Sequence, residues 1–244
     1  GAIQMVDCAS YEHECAQDLV TGYNCVPPES LTTCDPECEP GLVCQDGLCH
    51  SDGLQDRPWT LLIYVAGDNN LSPFAYDDID EMETVGSTDD VAIVVQAEFS
   101  SDHTELLDGE GEISPTLLDN TFRFEVDYHP ERGALSEDAI VQGAMGNQNM
   151  GHPDTLIDFI RWGTAAYPAN RYLLALWDHG GGWTGGFADD TSGRDLRLSE
   201  IRGAIEGAGV YLDVVDFDAC FMGQYEVALE LHGFIGVMVG SEDV

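Results

Sequence analysis

The fold is decided by a nearly continuous apolar stretch, Trp59-Thr60-Leu61-Leu62-Ile63-Tyr64-Val65-Ala66, which ends at a loop signal, Gly67-Asp68-Asn69-Asn70. An apolar run of this length is typical of a strand that is buried on both faces, as in a parallel sheet. Ser72-Pro73 follows, and it predicts a helix that continues to about residue 85 with acidic residues on its outer side. The apolar residues expected on the inner side of that helix are Phe74, Ile79 and Met82.

Strand and helix patterns alternate through the rest of the chain. Strands are predicted at residues 91–97, 122–126, 172–177, 214–217 and 234–239, and helices at 153–166, 198–208 and 222–232. Ser199 is the expected N-cap of the helix at 198–208, and residues 133–150 are expected to form a loop or a short helix. This alternation implies an α/β fold, with a mostly parallel sheet that is covered by helices on both faces.

The composition excludes several classes of partner. The chain has 244 residues and carries 46 acidic side chains against 8 basic ones, all of them arginine, for a formal net charge of −38. Because phosphate groups are bound by clustered basic side chains, this charge argues against nucleic acid or an anionic membrane surface as a partner. No stretch of about 18 consecutive apolar residues is present, so no membrane span is predicted.

Cysteines divide the chain into two parts. A dense cysteine cluster in a short segment rich in Pro, Gly and Glu is typical of a disulfide-stapled module in an exported protein. The candidate disulfide cysteines all lie within the first 49 residues: Cys8, Cys15, Cys25, Cys34, Cys38, Cys44 and Cys49. Seven is an odd number, so one of them either lacks its partner or pairs with another molecule, and a pairing with Cys220 is the less favoured alternative. A zinc site that uses these cysteines and His50 is also less favoured, because the chain has no Cys-x-x-Cys pair.

Three regions follow from these patterns. We predict a cysteine-rich module at residues 1–52, a polar linker at 53–58 and an α/β domain at 59–244. The chain begins without Met or a signal segment and stops directly after an apolar run. We therefore expect that a signal was removed or the chain is a fragment, and that the domain is truncated at its C-terminus.

Reactive side chains follow two of the predicted strands. The strand at 172–177 runs into Asp178-His179-Gly180-Gly181-Gly182-Trp183, and the strand at 214–217 runs into Asp218-Ala219-Cys220, just before a predicted helix. Ligands bind beyond the carboxyl ends of strands in open α/β sheets. A helix N-terminus favours a thiolate, backbone N–H groups can hold an oxyanion, and His179 can act as the acid and base. The alternatives are a buried structural cysteine and a histidine in a turn.

Two other motif interpretations are excluded by the sequence around each motif. Gly180-x-Gly182-x-x-Gly185 satisfies the dinucleotide-binding fingerprint, but an acidic loop follows where that fingerprint requires a helix. His179-Gly180-Gly181-Gly182 is similar to the oxyanion loop of lipases, but the chain has no Gly-x-Ser-x-Gly elbow.

Several blocks of the chain resemble the clostripain family of cysteine peptidases, over roughly residues 57–244. The matching blocks are Tyr64-Val65-Ala66-Gly67-Asp68-Asn69-Asn70-Leu71-Ser72, Trp177-Asp178-His179-Gly180-Gly181-Gly182-Trp183, Asp216-Phe217-Asp218-Ala219-Cys220-Phe221-Met222, Glu226-Val227-Ala228 and Gly240-Ser241-Glu242-Asp243. The family shares its fold and its His-Gly…Cys dyad with caspases, legumains and gingipains. The resemblance therefore implies a caspase-like three-layer α/β/α domain that cleaves peptide bonds.

The resemblance also assigns roles to residues. It implies that Cys220 is the nucleophile, that His179 is the acid and base, and that the N–H groups of Gly180 and Cys220 form the oxyanion hole. Family members prefer Arg or Lys before the cleaved bond, and Asp218 occupies the position of an acid in their specificity pocket. A carboxylate is a suitable partner for a guanidinium group. The alternative for Asp218 is a turn carboxylate whose hydrogen bonds are satisfied within the protein.

Family members often mature by cutting themselves between the histidine and the cysteine. The polar composition of the matching segment, residues 185–202, predicts an exposed loop. Arg194 is the first candidate cleavage site in this segment and Arg197 is the second. In the alternative, these arginines pair with nearby acids, namely Asp189, Asp190 and Asp195. Calcium supports several family members. The sequence requires no cofactor and identifies no metal ligands, since it contains no loop of EF-hand spacing.

The sequence thus predicts a monomeric, secreted or cell-surface cysteine endopeptidase of bacterial origin that cleaves proteins or peptides after Arg or Lys. One alternative is a catalytically silent binding or adhesion protein on the same fold, although the presence of both His179 and Cys220 counts against it. A second alternative is a peptidase that cleaves after Asn or Asp, against which Asp218 counts because it would repel an acidic side chain.

Overall fold

The computed structural model describes residues 34, 37–38, 40, 42–45, 47–53, 55–107, 112–131, 135, 140–143 and 145–243, and the backbone of 14–18 and 22–26. The strands are β1 (Glu14–Asp18), β2 (Gly22–Val26), β3 (Leu42–Gln45), β4 (Leu48–Ser51), β5 (Trp59–Gly67), β6 (Val91–Phe99), β7 (Thr121–Glu125), β8 (Ile140–Gln142), β9 (Arg171–Trp177), β10 (Gly186–Asp189), β11 (Arg194–Leu196), β12 (Leu212–Asp218) and β13 (Ile235–Gly240). The helices are α1 (Ser72–Glu83), α2 (Pro153–Ala166), α3 (Leu198–Ala208) and α4 (Tyr225–Leu231). No helix in these ranges has the length and apolar character needed to cross a bilayer.

A seven-stranded sheet in the order β13-β12-β9-β5-β6-β7-β8 forms the centre of the α/β body. The five strands from β13 to β6 are parallel, and β7 and β8 continue the sheet in antiparallel pairing. The predicted apolar strand is β5, and it lies in the middle of the sheet, paired with β6 on one side and with β9 on the other. This central position explains why the sequence of β5 is apolar almost throughout.

Helices cover both faces of the sheet and create two apolar cores. On one face, α1 packs over β5 and β6 through Ala75, Tyr76 and Ile79. On the other face, α2, α3 and α4 pack over β5, β9 and β12, with fully buried residues such as Leu156, Ile201 and Val227. The predicted three-layer α/β/α arrangement with a mostly parallel sheet is therefore confirmed.

The predicted inner face of α1 is partly wrong. Phe74 is exposed, whereas Asp80 and Glu83 are buried although acids were expected outside. The buried residues recur at intervals of three or four along the helix, at Ser72, Ala75, Tyr76, Ile79, Asp80 and Glu83. This spacing defines the stripe that faces the sheet. Phe74 lies outside this stripe and is exposed although it is apolar. In this helix, the position of a residue relative to the stripe predicts its burial better than its residue type does.

Helix ends also differ from the sequence prediction. The N-cap of α3 is Arg197, not Ser199, and the side chain of Glu200 accepts a hydrogen bond from the Arg197 N–H at 3.0 Å. Helix α4 begins at Tyr225 instead of residue 222. The Gly223 N–H donates to the Ser241 carbonyl at 2.7 Å, and this bond holds the chain just before α4 against the end of β13.

Two predicted loops contain strands. Residues 140–142 form β8, which pairs with β7 at the edge of the sheet, where a loop or short helix was expected. Residues 186–196 fold as an antiparallel hairpin of β10 and β11, where an exposed loop was expected. The missed strands β8, β10 and β11 are very short, with three or four residues each, and leave little periodicity to detect in a sequence.

The cysteine-rich segment packs directly against the α/β body. Disulfides Cys34–Cys44 and Cys38–Cys49 link two cysteines that precede the β3–β4 hairpin to β3 and to β4. The Cys49 N–H donates to the Gly209 carbonyl at 2.9 Å, and the Tyr211 N–H donates to the Cys49 carbonyl at 3.0 Å. These bonds join the module to the turn between α3 and β12. The predicted boundaries at residues 52 and 58 remain predictions, and Cys8 lies outside the described residues.

Glu98, on β6, is a fully buried acid whose Oε1 atom has no hydrogen-bond partner among the described residues. Burial, and then the nearby carboxylates of Asp189 and Asp68, raise the pKa of Glu98 to about 8 from its ordinary value of 4.5. The folded protein therefore retains this proton at pH values where the unfolded chain has released it. The free energy of unfolding that Glu98 contributes falls as the pH rises from about 4.5 to about 8 and then stays level.

Glu98→Gln is therefore expected to stabilise the protein at pH 8 and to leave its stability nearly unchanged at pH 4.5. The amide mimics the protonated acid, and the gain is on the order of 1 kcal/mol for each pKa unit that the replacement relieves. Urea unfolding at the two pH values measures the effect, with Glu105→Gln, at an exposed position, as the control. If Glu98→Gln and the original protein had equal free energies of unfolding at pH 8, ionisation of Glu98 would not destabilise the folded protein and the prediction would be wrong.

Candidate active site

The two predicted reactive segments emerge side by side from the sheet. Strands β9 and β12 are parallel neighbours, and their last residues, Trp177 and Asp218, are register partners. The Asp178 N–H donates to the Asp218 carbonyl at 3.3 Å just beyond the strand ends. His179 and Cys220 therefore follow adjacent strands at the same edge, as the sequence predicted.

Gly180 lies directly against the main chain of Cys220. A Cβ atom at position 180 would lie 2.0 Å from the Cys220 carbonyl oxygen and 2.8 Å from the Cys220 nitrogen. Contacts this short exclude any side chain, so only glycine fits at this position without displacing Cys220. The close approach brings the residue after His179 into contact with the cysteine and fixes the relative position of the two loops.

The N–H of Gly180 is directed away from its own hairpin. The Gly181 N–H donates to the Gly185 carbonyl at 2.7 Å, and the Phe187 N–H donates to the His179 carbonyl at 3.1 Å. These two bonds flank the bridge between Gly180 and Gly186, so Gly180 occupies a non-hydrogen-bonded position of that ladder. Its N–H therefore makes no hydrogen bond across this hairpin.

Cys220 is a half-buried free thiol at the turn after β12. The next residue, Phe221, has a positive φ of 61°, which is uncommon for a residue with a side chain and is often found at functional turns. The helix that was expected to begin beside the thiol starts only at Tyr225, five residues later. Because the field of a helix terminus falls off within one turn and α4 begins five residues after the thiol, a contribution of α4 to the reactivity of Cys220 stays a prediction.

The exposed imidazole of His179 contacts a residue that the sequence analysis did not single out. The distance between His179 Nε2 and Asn70 Oδ1 is 3.0 Å. Asn70 belongs to the loop after β5, which lies next to β9 in the sheet. Asn69-Asn70 directly follows the apolar strand, and the sequence analysis interpreted this pair only as part of a loop.

Asp178 is a buried carboxyl group that holds three loops together. Its Oδ1 atom accepts from Asn69 Nδ2 at 2.8 Å, and its Oδ2 atom accepts from the Ala188 N–H at 2.5 Å. Burial raises the pKa of Asp178 to about 8, although hydrogen bonds from the His179 N–H, Asn69 and Ala188 favour its charged form. Asp178 therefore ties the loop that carries His179 to the loop after β5 and to the β10–β11 hairpin.

Carboxylates cluster on the α1 face of the sheet beside Cys220. Asp218 is exposed, and its negative charge contributes to raising the pKa values of Asp78 and Asp216, for both of which burial is the larger cause. Asp78 Oδ2 accepts a hydrogen bond from the Trp177 indole N–H at 2.7 Å. Asp78, which the sequence analysis did not name, and Asp216, which it named only as part of a family block, thus join Asp218 in a negatively charged environment that suits a cationic group.

A cavity of about 720 Å³ lies between the glycine-rich turn and the β10–β11 hairpin. Its lining includes His179, Gly180, Arg194, Arg197 and Glu200, but neither Cys220 nor Asp218. Arg194 is half-buried, donates from Nε to the Gly151 carbonyl at 2.9 Å and forms an ion pair with Glu200. The expected alternative partners of the arginines were aspartates, whereas the observed partner of Arg194 is a glutamate.

The described residues provide no fitting site for a metal ion. The one group of three or more His, Cys, Asp or Glu side chains whose ligand atoms lie within 4.8 Å of one another is Cys34, Cys38 and Cys49. These sulfur atoms belong to disulfides and are not thiolate ligands. Calcium is implied by resemblance only, so no chemical step is assigned to it.

Comparisons with known proteins agree with this arrangement. The model of the clostripain family matches residues 63–244. Clostripain of Hathewaya histolytica is 28% identical over 193 residues, which cover 70% of this chain and 35% of that protein. The match thus spans about a third of the length of that relative.

Two solved structures are similar to the chain. A secreted C11 cysteine protease from Bacteroides thetaiotaomicron, in complex with an irreversible peptide inhibitor, has 24% identity and a TM-score of 0.53 over 73% of this chain and 47% of that chain. An inactive zymogen C11 protease from Parabacteroides distasonis has 25% identity and a TM-score of 0.53 over 78% of this chain and 50% of that chain. The chain spans about half the length of each.

Proposed function

Because the chain belongs to the clostripain family, we propose that it is the part of a secreted cysteine endopeptidase that carries the nucleophile and its acid–base partner. The observation that carries the proposal is the contact between Gly180 and the main chain of Cys220, which brings the histidine loop to a free thiol. The proposed nucleophile is Cys220, the proposed acid and base is His179, and the proposed oxyanion donors are the N–H groups of Gly180 and Cys220.

The proposed reaction proceeds through a thioacyl intermediate. The Cys220 thiol transfers its proton to His179, and the sulfur attacks the carbonyl carbon of the scissile peptide bond. Two backbone N–H groups hold the oxyanion, and the C–N bond breaks as His179 gives its proton to the leaving amine. Water then loses a proton to His179 and attacks the thioester, which releases the acid product and restores the thiol.

We propose that the substrates are proteins or peptides with Arg or Lys before the cleaved bond. Asp218 lies two residues before Cys220 and is exposed, and its charge acts together with those of Asp78 and Asp216. A guanidinium group beside these carboxylates would relieve their mutual repulsion and form charge-assisted hydrogen bonds. The same repulsion opposes an Asp at this substrate position and gives no benefit to Asn, which argues against the alternative specificity.

Asp218→Asn is expected to lower kcat/KM for substrates that end in Arg by about tenfold or more, or about 1.4 kcal/mol, because the charged contact is lost. Substrates with citrulline, which is a neutral analogue of Arg, should be affected much less. The ratio of kcat/KM for the Arg substrate to kcat/KM for the citrulline substrate measures the contribution of the substrate's positive charge. Asp89→Asn, at an exposed position at the other end of the sheet, is the control. An unchanged ratio in Asp218→Asn would remove Asp218 from the pocket.

We propose self-cleavage either after Arg194, in the β10–β11 hairpin, or after Arg197, which follows the hairpin. Arg197 is exposed, whereas the side chain of Arg194 is bound to Gly151 and Glu200, so side-chain exposure favours Arg197. Either cut requires local opening, because Arg194 lies in β11 and the residue after Arg197 begins α3. Self-cleavage is therefore expected to be slower than the hydrolysis of an unstructured peptide.

We also propose that the protein is secreted and monomeric. The two disulfides of the module suit an oxidising compartment, and one similar solved protein is described as secreted. The net charge of −38 counts against nucleic acid as a partner. A catalytically silent binding protein on the same fold is the competing function, and the loss or retention of hydrolysis in Cys220→Ala separates the two.

A further inference from the structure

The contact of Asn70 with His179 has a consequence for the tautomer of the imidazole. Asn70 Oδ1 lies 3.0 Å from His179 Nε2, and an amide oxygen is only an acceptor. With Asn70 Oδ1 as the acceptor of this contact, the neutral imidazole carries its proton on Nε2. Nδ1 then has the free lone pair and can accept a proton from a thiol, so this one contact determines which nitrogen acts as the base.

The position of Asn70 is fixed by buried neighbours rather than by its own exposed side chain. Asn69 is 2% exposed, donates from Nδ2 to Asp178 Oδ1 at 2.8 Å, and accepts from the Leu71 N–H at 2.8 Å. Asp178 directly precedes His179 and accepts a hydrogen bond from its N–H. The loop that carries Asn70 and the loop that carries His179 are therefore joined by the buried Asn69–Asp178 pair just below their contact.

We propose that Asn70 is a positioning residue that holds His179 in the Nε2–H tautomer and directs Nδ1 toward the reacting thiol. This inference rests on the proposed function of His179. An amide is suited to the task because it remains neutral across the pH range, so the ring is oriented without an added charge. The side chain acts through His179 and makes no contact with the substrate in this account.

The first test is NMR spectroscopy of the full-length protein with ¹⁵N-labelled histidine, with His179 assigned by comparison with His179→Gln. At a pH where the imidazole is neutral, the original protein should show a His179 proton on Nε2 that exchanges slowly with water. This signal should broaden or disappear in Asn70→Ala and persist in Asn70→Asp, whose carboxylate is also an acceptor. A proton on Nδ1, or the same exchange rate in Asn70→Ala, would overturn the proposal.

Kinetics provide the second readout. Asn70→Ala should lower kcat by about tenfold to a hundredfold and change KM by less than about twofold, because the acid–base step and not binding is impaired. Asn70→Asp should recover most of the lost kcat, and Asn147→Ala, at an exposed position, should behave as the original protein. A rise in KM with unchanged kcat, or no recovery in Asn70→Asp, would contradict a positioning role. The NMR signal does not depend on hydrolysis, so it tests Asn70 separately from the proposed reaction.

Discussion

Cys220→Ala is expected to abolish peptide hydrolysis, with a loss of kcat of about 10⁴-fold or more in the full-length protein. The reason is chemical, because alanine removes the sulfur that forms the thioacyl bond and leaves the His179 imidazole without its proton donor. The substitution is small, and Cys220 is only half-buried, so the fold should be retained. Hydrolysis of an Arg-containing fluorogenic peptide measures the loss, and equal thermal unfolding of the two proteins is the control.

The same variant tests self-cleavage. Intact-mass analysis of the original protein should show fragments that end at Arg197 or Arg194, whereas Cys220→Ala should remain uncut. His179→Ala should match Cys220→Ala in both assays, because the two residues act as one unit and their effects do not add. Hydrolysis that persists in Cys220→Ala would place the nucleophile elsewhere, and fragments in the variant would mean that another protease makes the cut.

Gly180→Ala should lower kcat/KM by about 10²-fold to 10³-fold although it adds only one methyl group. That methyl would lie 2.0 Å from the Cys220 carbonyl oxygen and 2.8 Å from the Cys220 nitrogen, so one of the two loops must move. The movement displaces both proposed oxyanion donors, and loss of one such donor typically costs a factor of this size. The effect should appear mainly in kcat, because the oxyanion forms only during the reaction.

Gly203→Ala is the matched control for this substitution. Gly203 lies in α3, and a Cβ atom there would meet nothing within 4 Å. This variant should keep the original activity and be slightly more stable, since alanine favours a helix by about 1 kcal/mol over glycine. If Gly180→Ala retained its activity within about threefold, the close approach of the two loops would not be needed for the proposed chemistry.

The sequence predicted most of the fold because long periodic elements carry strong signals. Helix α2 was predicted with the observed bounds, and β5, β6, β9 and β12 were each found within two residues. The failures occurred where tertiary contacts override local pattern. Burial of Asp80 and Glu83 depends on which stripe of α1 faces the sheet, and the late start of α4 depends on the hydrogen bond between Gly223 and Ser241.

The placement of His179 and Cys220 at neighbouring strand ends was predictable from the sequence, whereas the contacts of the surrounding side chains were not. His179 and Cys220 could be found because each follows an apolar strand, and parallel neighbours bring such ends together. Asn70 and Asp78 could not be found, because their roles arise from contacts across 109 and 99 residues of sequence. No pattern within one segment reports a contact of that range.

The most direct test of the central claim uses matched peptide probes that alkylate cysteine and differ only in Arg, Asn or Asp at the terminal position. The full-length protein is treated with each probe, and the label is located by intact mass and peptide mapping. We predict that one equivalent of the Arg probe labels Cys220, that the other two probes do not react, and that Cys220→Ala is not labelled. Labelling of Cys220 by the Asn or Asp probe instead would contradict the assigned pocket, and a failure of all three probes to label Cys220 would contradict the proposed nucleophile.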